Sequence, residues 1–111
     1  MKYFAYGYNL KRSRLKERVG AWLSEENCIA EGYRLTFDSR GYADIFQDKA
    51  SKVYGVIYGL SEIQMKKLDN HEGVDKKIYK GVPISITSNK GLKKAITYVK
   101  VDKTPFTSPP D

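Results

Sequence analysis

Two short segments place chemically capable residues where the apolar pattern of a core is interrupted. The first is Tyr6-Gly7-Tyr8-Asn9-Leu10, a glycine turn between a strand-like run and a helix-like one. Free backbone N–H groups and the positive end of a helix let such a corner hold an anion. A lone glycine also serves any ordinary strand-to-helix turn, and the chain has neither a Walker pattern nor GxGxxG. The second segment is Leu68-Asp69-Asn70-His71-Glu72-Gly73-Val74, with two acids around the only histidine. Asp69 and Glu72 share a face if a helix continues through them and diverge if it stops before Gly73. On pattern alone, a polar helix end with a glycine stop accounts for these residues. His71 and Glu72 are adjacent and point in different directions on a helix, which argues against a His–Glu dyad.

Other chemistries find less support. One cysteine and one histidine in 111 residues make no zinc site of the usual kind and no internal disulfide. Nothing near Cys28 resembles an activated nucleophile, so a buried strand thiol is expected there. Nine tyrosines among twenty Lys and Arg would suit a base-stacking platform for single-stranded RNA. No RNP-type motif accompanies them, and a nucleic-acid partner is not expected. The formal charge of +7 attracts anions through a field that salt screens, without specifying a partner. Apolar runs are too short for a membrane span, and the N-terminus lacks the features of a signal peptide. These features point to the cytoplasm.

The elements that must position the two segments read as α+β. Tyr3-Phe4-Ala5-Tyr6 is a short buried strand ended by Gly7. Asn9 can cap a helix carrying Leu10, Leu15 and Val19 on one stripe and ending at Gly20, with a basic face read as solvated. Two or three strands follow between Ala21 and Phe46. In the run from Ile29 to Phe37, alternation puts Tyr33, Leu35 and Phe37 on one face, and Gly32 suggests a bulge. Asp38-Ser39-Arg40-Gly41 is a turn, Ala43 to Phe46 a short strand, and Val53 to Leu60 a strand buried on both faces. Ser61 and Gln64 form a capping box for a helix whose inward stripe is Ile63, Met65 and Leu68. Two final strands, Tyr79 to Thr87 and Lys94 to Val101, pair across Asn89-Lys90-Gly91. One domain over residues 1–101 with a proline-rich tail over 102–111 is the expected organisation.

In order and spacing these segments resemble the γ-glutamylcyclotransferase-like (AIG2-like) family. Tyr3 through Leu10 is similar to its YFAYGSNL opening, and Leu68 through Val74 to its LDxxEGV segment, followed by Tyr79. Gly32-Tyr33-Arg34-Leu35-Thr36-Phe37, Val53-Tyr54-Gly55-Val56-Ile57-Tyr58 and Tyr98 fall on the strands between and after. The resemblance implies a small mixed β-barrel or strongly curved sheet flanked by two helices. It also implies an enzyme that releases 5-oxoproline from a γ-glutamyl amino acid or amine, with no metal and no cofactor. Glu72 becomes the acid/base. Tyr3, Phe4, Ala5, Tyr6, Gly7, Tyr8, Asn9, Leu10 and Tyr79 become substrate-binding residues. Tyr8 stands where the family usually has Ser or Thr, and a phenol there either fills part of the pocket or swings outward. The implied partner is a small γ-glutamyl molecule; a homodimer is compatible with the pattern. Two other functions fit the same residues: a non-catalytic binding module of this fold, and a basic RNA-binding domain.

Overall fold

The computed structural model describes residues 1–7 and 12–102. The expected helix cap at Asn9 and the residues after Asp102 lie outside this range. The order is β1 (Lys2–Ala5), α1 (Arg12–Val19), β2 (Ser24–Phe37), β3 (Ala43–Gly59), α2 (Glu62–His71), β4 (Tyr79–Ser88) and β5 (Gly91–Lys100). The strands close into a barrel in the order β1-β3-β2-β4-β5. All pairings are antiparallel except β1 with β5, which meet in parallel at Tyr3 and Ile96. The buried Thr97 hydroxyl donates to the Phe4 carbonyl at 2.9 Å and reinforces that seam.

The apolar pattern is twofold because residues 3–5 of β1, 55–59 of β3 and 97–100 of β5 are buried on both faces, whereas Tyr54, expected within a strand buried on both faces, is exposed. Phe4, Tyr6, Ala30, Ile45, Ile57 and Ile86 belong to one cluster, the barrel interior. Tyr3, Ala5, Val56, Tyr58 and Tyr98 point the other way, toward Leu15 and Val19 of α1 and Met65 and Leu68 of α2. Each of those four helical side chains contributes roughly 1.5–3 kcal/mol by leaving water. Ile63 does not join them and is exposed. Met65 and Leu68 are three apart and share a stripe, whereas Ile63 precedes Met65 by two and faces away.

The helices are joined by the predicted capping box. Gln64 donates its amide to the Ser61 hydroxyl at 3.1 Å and returns its side-chain oxygen to the Ser61 amide at 2.9 Å. Its side-chain nitrogen also reaches the carbonyls of Val19 and Ala21, so one residue caps α2 and ties down the end of α1. Ser61→Ala removes one half of the box. It is expected to cost about 1 kcal/mol, or a fall in Tm of roughly 4–8 °C. An unmoved melting curve would show that the cap contributes nothing.

Strands β2 and β3 form one long hairpin rather than several short strands. The two apolar runs expected at Ala43–Phe46 and Val53–Leu60 are continuous in β3, across a register shift opposite Gly32. Gly32 has φ +83, a left-handed backbone that glycine tolerates. Among the described residues, 33–37 pair with β3 alone, whereas Cys28 and Ile29 also pair with β4. Tyr33, nearest the part of β2 that also meets β4, packs on the core, whereas Leu35 and Phe37, farther out on the same face, are exposed. Cys28 is a buried thiol as expected, and burial pushes its pKa up to about 11.

Candidate active site

The segment around Glu72 is a helix stop with a defined geometry. Glu72 is the C-cap of α2, and its amide donates to Leu68 at 2.9 Å. Gly73, at φ +68, donates to Asn70 at 3.2 Å, and Val74 donates to Asp69 at 3.1 Å. These two bonds are the 5→2 and 6→1 pair of a Schellman motif, which needs glycine at the left-handed position. Val74 packs on the cluster containing Leu68, the apolar contact that accompanies such a stop. The Leu-Asp-x-x-Glu-Gly-Val spacing is therefore a recipe for ending a helix at a carboxylate and turning the chain away.

That carboxylate is only 9% exposed and lies in the wall of a cavity of about 690 Å³. Arg18, from α1, donates to its Oε2 at 3.1 Å. Tyr3, Tyr6, Tyr79 and Tyr98 line the same space. Three of these phenols are tied back to the fold. Tyr6 donates to the Tyr98 carbonyl, Tyr79 to the Ala43 carbonyl at 2.6 Å, and Tyr98 to the Asp69 carboxylate. Burial raises the pKa of all three far above a free phenol's. After burial, the largest influence is the charge of Asp44 on Tyr6, of Glu72 on Tyr79, and the hydrogen bond to Asp69 on Tyr98. They are neutral walls at physiological pH and cannot serve as bases there.

Cationic side chains complete the cavity. Arg14, Arg18, Arg40 and Lys76 line it against two carboxyls, Glu72 and Asp75. The basic face of α1, expected to be solvated, thus supplies two cavity arginines. Among the described residues, no group of three His, Cys, Asp or Glu side chains is placed to hold a metal ion.

Of the residues singled out from sequence, Tyr3, Tyr6, Glu72 and Tyr79 border this one space, although Tyr6 and Glu72 lie more than sixty positions apart. Phe4 lies in the barrel interior and Ala5 under the helices. Gly7, two residues past the end of β1, has φ +63 and lies so close to β3 that a Cβ there would sit 2.9 Å from the Ala43 Cβ. Tyr8, Asn9 and Leu10 are outside the described residues. Asp69, read as a plain helix-end acid, instead accepts the Tyr98 hydroxyl. Sequence reasoning missed Arg14, Arg18, Arg40 and Tyr42. Arg18 meets Glu72 across 54 positions, and no local signal marks that pairing.

Comparison with known proteins gives a consistent picture. The model of the family described as gamma-glutamyl cyclotransferase, AIG2-like, matches residues 3–109. The chain is 29% identical over 118 residues to a gamma-glutamylcyclotransferase of Bos taurus, covering 97% of this chain and 62% of that protein. It is 29% identical over 103 residues to the Homo sapiens protein of that name, covering 80% of this chain and 53% of the relative. The chain therefore spans between about half and six tenths of the length of these relatives. A solved structure named gamma-glutamyl cyclotransferase superposes with a TM-score of 0.82, covering 89% of this chain and 65% of that one at 24% identity. That last likeness is one of fold.

Proposed function

This chain belongs to the gamma-glutamyl cyclotransferase, AIG2-like family, and we propose that it catalyses the cyclotransferase reaction itself, with Glu72 as the acid/base. One observation carries the reading: among the cavity's described walls, Glu72 is the only buried carboxyl, and the tyrosines around it are held neutral.

The reaction needs little more than this. The α-nitrogen of a γ-glutamyl compound attacks its own γ-carbonyl carbon, and a C–N bond forms to close a five-membered ring. The bond to the leaving nitrogen then breaks. The α-ammonium gives up two protons in all, and the departing amine gains two and leaves as an ammonium. Glu72 takes a proton from the attacking nitrogen and returns one to the leaving nitrogen, the other exchanging with water. Arg18 fixes Oε2, so the carboxylate meets the substrate in one orientation. The corner expected from sequence at Gly7 to Asn9 is this reading's candidate for holding the glutamyl carboxylate and the oxyanion of the tetrahedral intermediate. Folding the glutamyl chain back on itself supplies most of the acceleration. Well-oriented intramolecular attack is worth up to about 7–11 kcal/mol.

Incubation with a panel of γ-glutamyl compounds tests this directly. 5-Oxoproline and the free amine are expected in equal amounts, and no 5-oxoproline from any member would refute the proposal. Turnover is also expected to survive exhaustive chelation, because one carboxyl performs the proton transfers. Loss on chelation with recovery on adding zinc or magnesium would contradict it. Work in the cytoplasm belongs to the same reading and is supported by the single buried cysteine. No described helix is long and apolar enough to cross a membrane.

A further inference from the structure

The turn between β2 and β3 presents Arg40 to the cavity. The turn is built around one carboxylate. Asp38 Oδ1 accepts the amides of Arg40 at 2.8 Å and Tyr42 at 3.0 Å. Its Oδ2 accepts Lys100 Nζ at 2.6 Å and Arg40 Nη2 at 3.0 Å. Burial alone would raise the pKa of Asp38, but the bonds from Lys100, the Tyr42 amide and Arg40 outweigh it and hold the carboxyl well below the usual range. The Arg40 guanidinium also stacks over the Tyr42 ring, 4.7 Å from its centroid. It is thus fixed from one edge and one face, while its side chain remains 66% exposed. A guanidinium has five N–H donors in a rigid fork. Held this way, Arg40 is pre-organised to receive a second carboxylate with both prongs, at little further entropic cost.

At the Glu72 end of the cavity Arg18 is ion-paired with that carboxylate, whereas Arg40 shares Asp38 with Lys100. Tyr79 links the two ends. Its hydroxyl bonds the carbonyl of Ala43, next to Tyr42, and the charge of Glu72 contributes to the rise in its pKa. Resting on the cyclotransferase reading above, we propose that Arg40 is a specificity-determining residue that binds a carboxylate on the leaving half of the substrate. The protein then favours γ-glutamyl amino acids over γ-glutamyl conjugates of uncharged amines.

The test uses γ-glutamylalanine and γ-glutamylalaninamide, which differ only in that carboxylate. Wild type is expected to prefer the acid by about ten- to hundredfold in kcat/KM, the usual value of a hydrogen-bonded charge. Arg40→Gln should bring the ratio close to one, by loss of turnover of the acid. Arg40→Lys should restore part of it, because it keeps the charge and loses the fork. A merely structural role would lower both substrates together and leave the ratio unchanged, which would overturn the proposal. Calorimetric titration of wild type with both compounds separates this proposal from the reaction. Tighter binding of the acid, lost in Arg40→Gln, with no 5-oxoproline released, would refute the reaction and uphold carboxylate selection. Equal turnover of both by wild type would uphold the reaction and refute Arg40's role.

Discussion

Glu72→Gln is expected to lower kcat for 5-oxoproline release by about 10²–10⁴-fold, the usual worth of a positioned acid/base. Gln has nearly the same shape and keeps an oxygen that can accept from Arg18, so the Schellman stop and the wall of the cavity should persist. The amide cannot take the proton from the attacking nitrogen. The loss should therefore fall on kcat, with the melting curve almost unmoved. Glu62→Gln, at the exposed start of the same helix, is the matched control. Asp69→Asn is not a silent comparison, because Asp69 holds the hydroxyl of a cavity tyrosine. Measured on all three variants, 5-oxoproline release and melting temperature separate chemistry from folding. Wild-type turnover by Glu72→Gln would remove Glu72 from the mechanism.

The largest effect on stability is expected at a residue outside the cavity. Gly55 lies in β3 where β1 crosses closely, and a Cβ there would sit 2.3 Å from the Ala5 carbonyl oxygen and 2.5 Å from the Phe4 ring. The oxygen belongs to backbone whose Ala5 pairs with Val56, and the ring is fully buried, so neither can retreat cheaply. Overpacking of this kind costs about 3 kcal/mol when the contact is with backbone, a large part of the roughly 5–15 kcal/mol that holds a domain together. Gly55→Ala should lower Tm by roughly 10–20 °C. Gly20→Ala is the informative partner. Gly20 has φ +85 but nothing within 4 Å of a Cβ, so it isolates left-handed strain, worth about 1–2 kcal/mol. Equal losses at both positions would show that the β1–β3 approach is not tight.

Local grammar made much of this fold legible. Ser61 with Gln64, Gly73 after Glu72, and Gly91 at the last turn each need only a few neighbouring residues to do their work, and each appears where the pattern put it. Alternation located the strands because a pleated strand has a period of two whatever it packs against. What alternation cannot say is whether a face is covered. Leu35 and Phe37 repeat like core residues, but among the described residues no third strand reaches that part of the hairpin. Ile63 is exposed for a different reason, since on a helix it cannot share a face with Met65 two positions on. Pattern alone marked Glu72 only as a helix end, and the family resemblance singled it out; the helix stop encoded beside it then accounts for where it sits. Its counter-ion was not legible. Arg14 and Arg18 are indistinguishable in sequence from the other basic residues of α1, and only barrel closure and the Gln64 link bring that helix beside Glu72. Arg40 was hidden by the very feature that orients it, a turn whose Asp and Gly suffice to explain it.

The central claim, that the cavity turns a γ-glutamyl chain onto its own carbonyl, is tested most directly by the oxygen content of the product. With γ-glutamylalanine in ¹⁸O-enriched water, intramolecular attack retains the original carbonyl oxygen. Mass spectrometry should then find unlabelled 5-oxoproline beside an equal amount of alanine. Glutamate carrying one solvent oxygen in its γ-carboxylate would mean that water, not the substrate's own amine, is the nucleophile, and would contradict the mechanism.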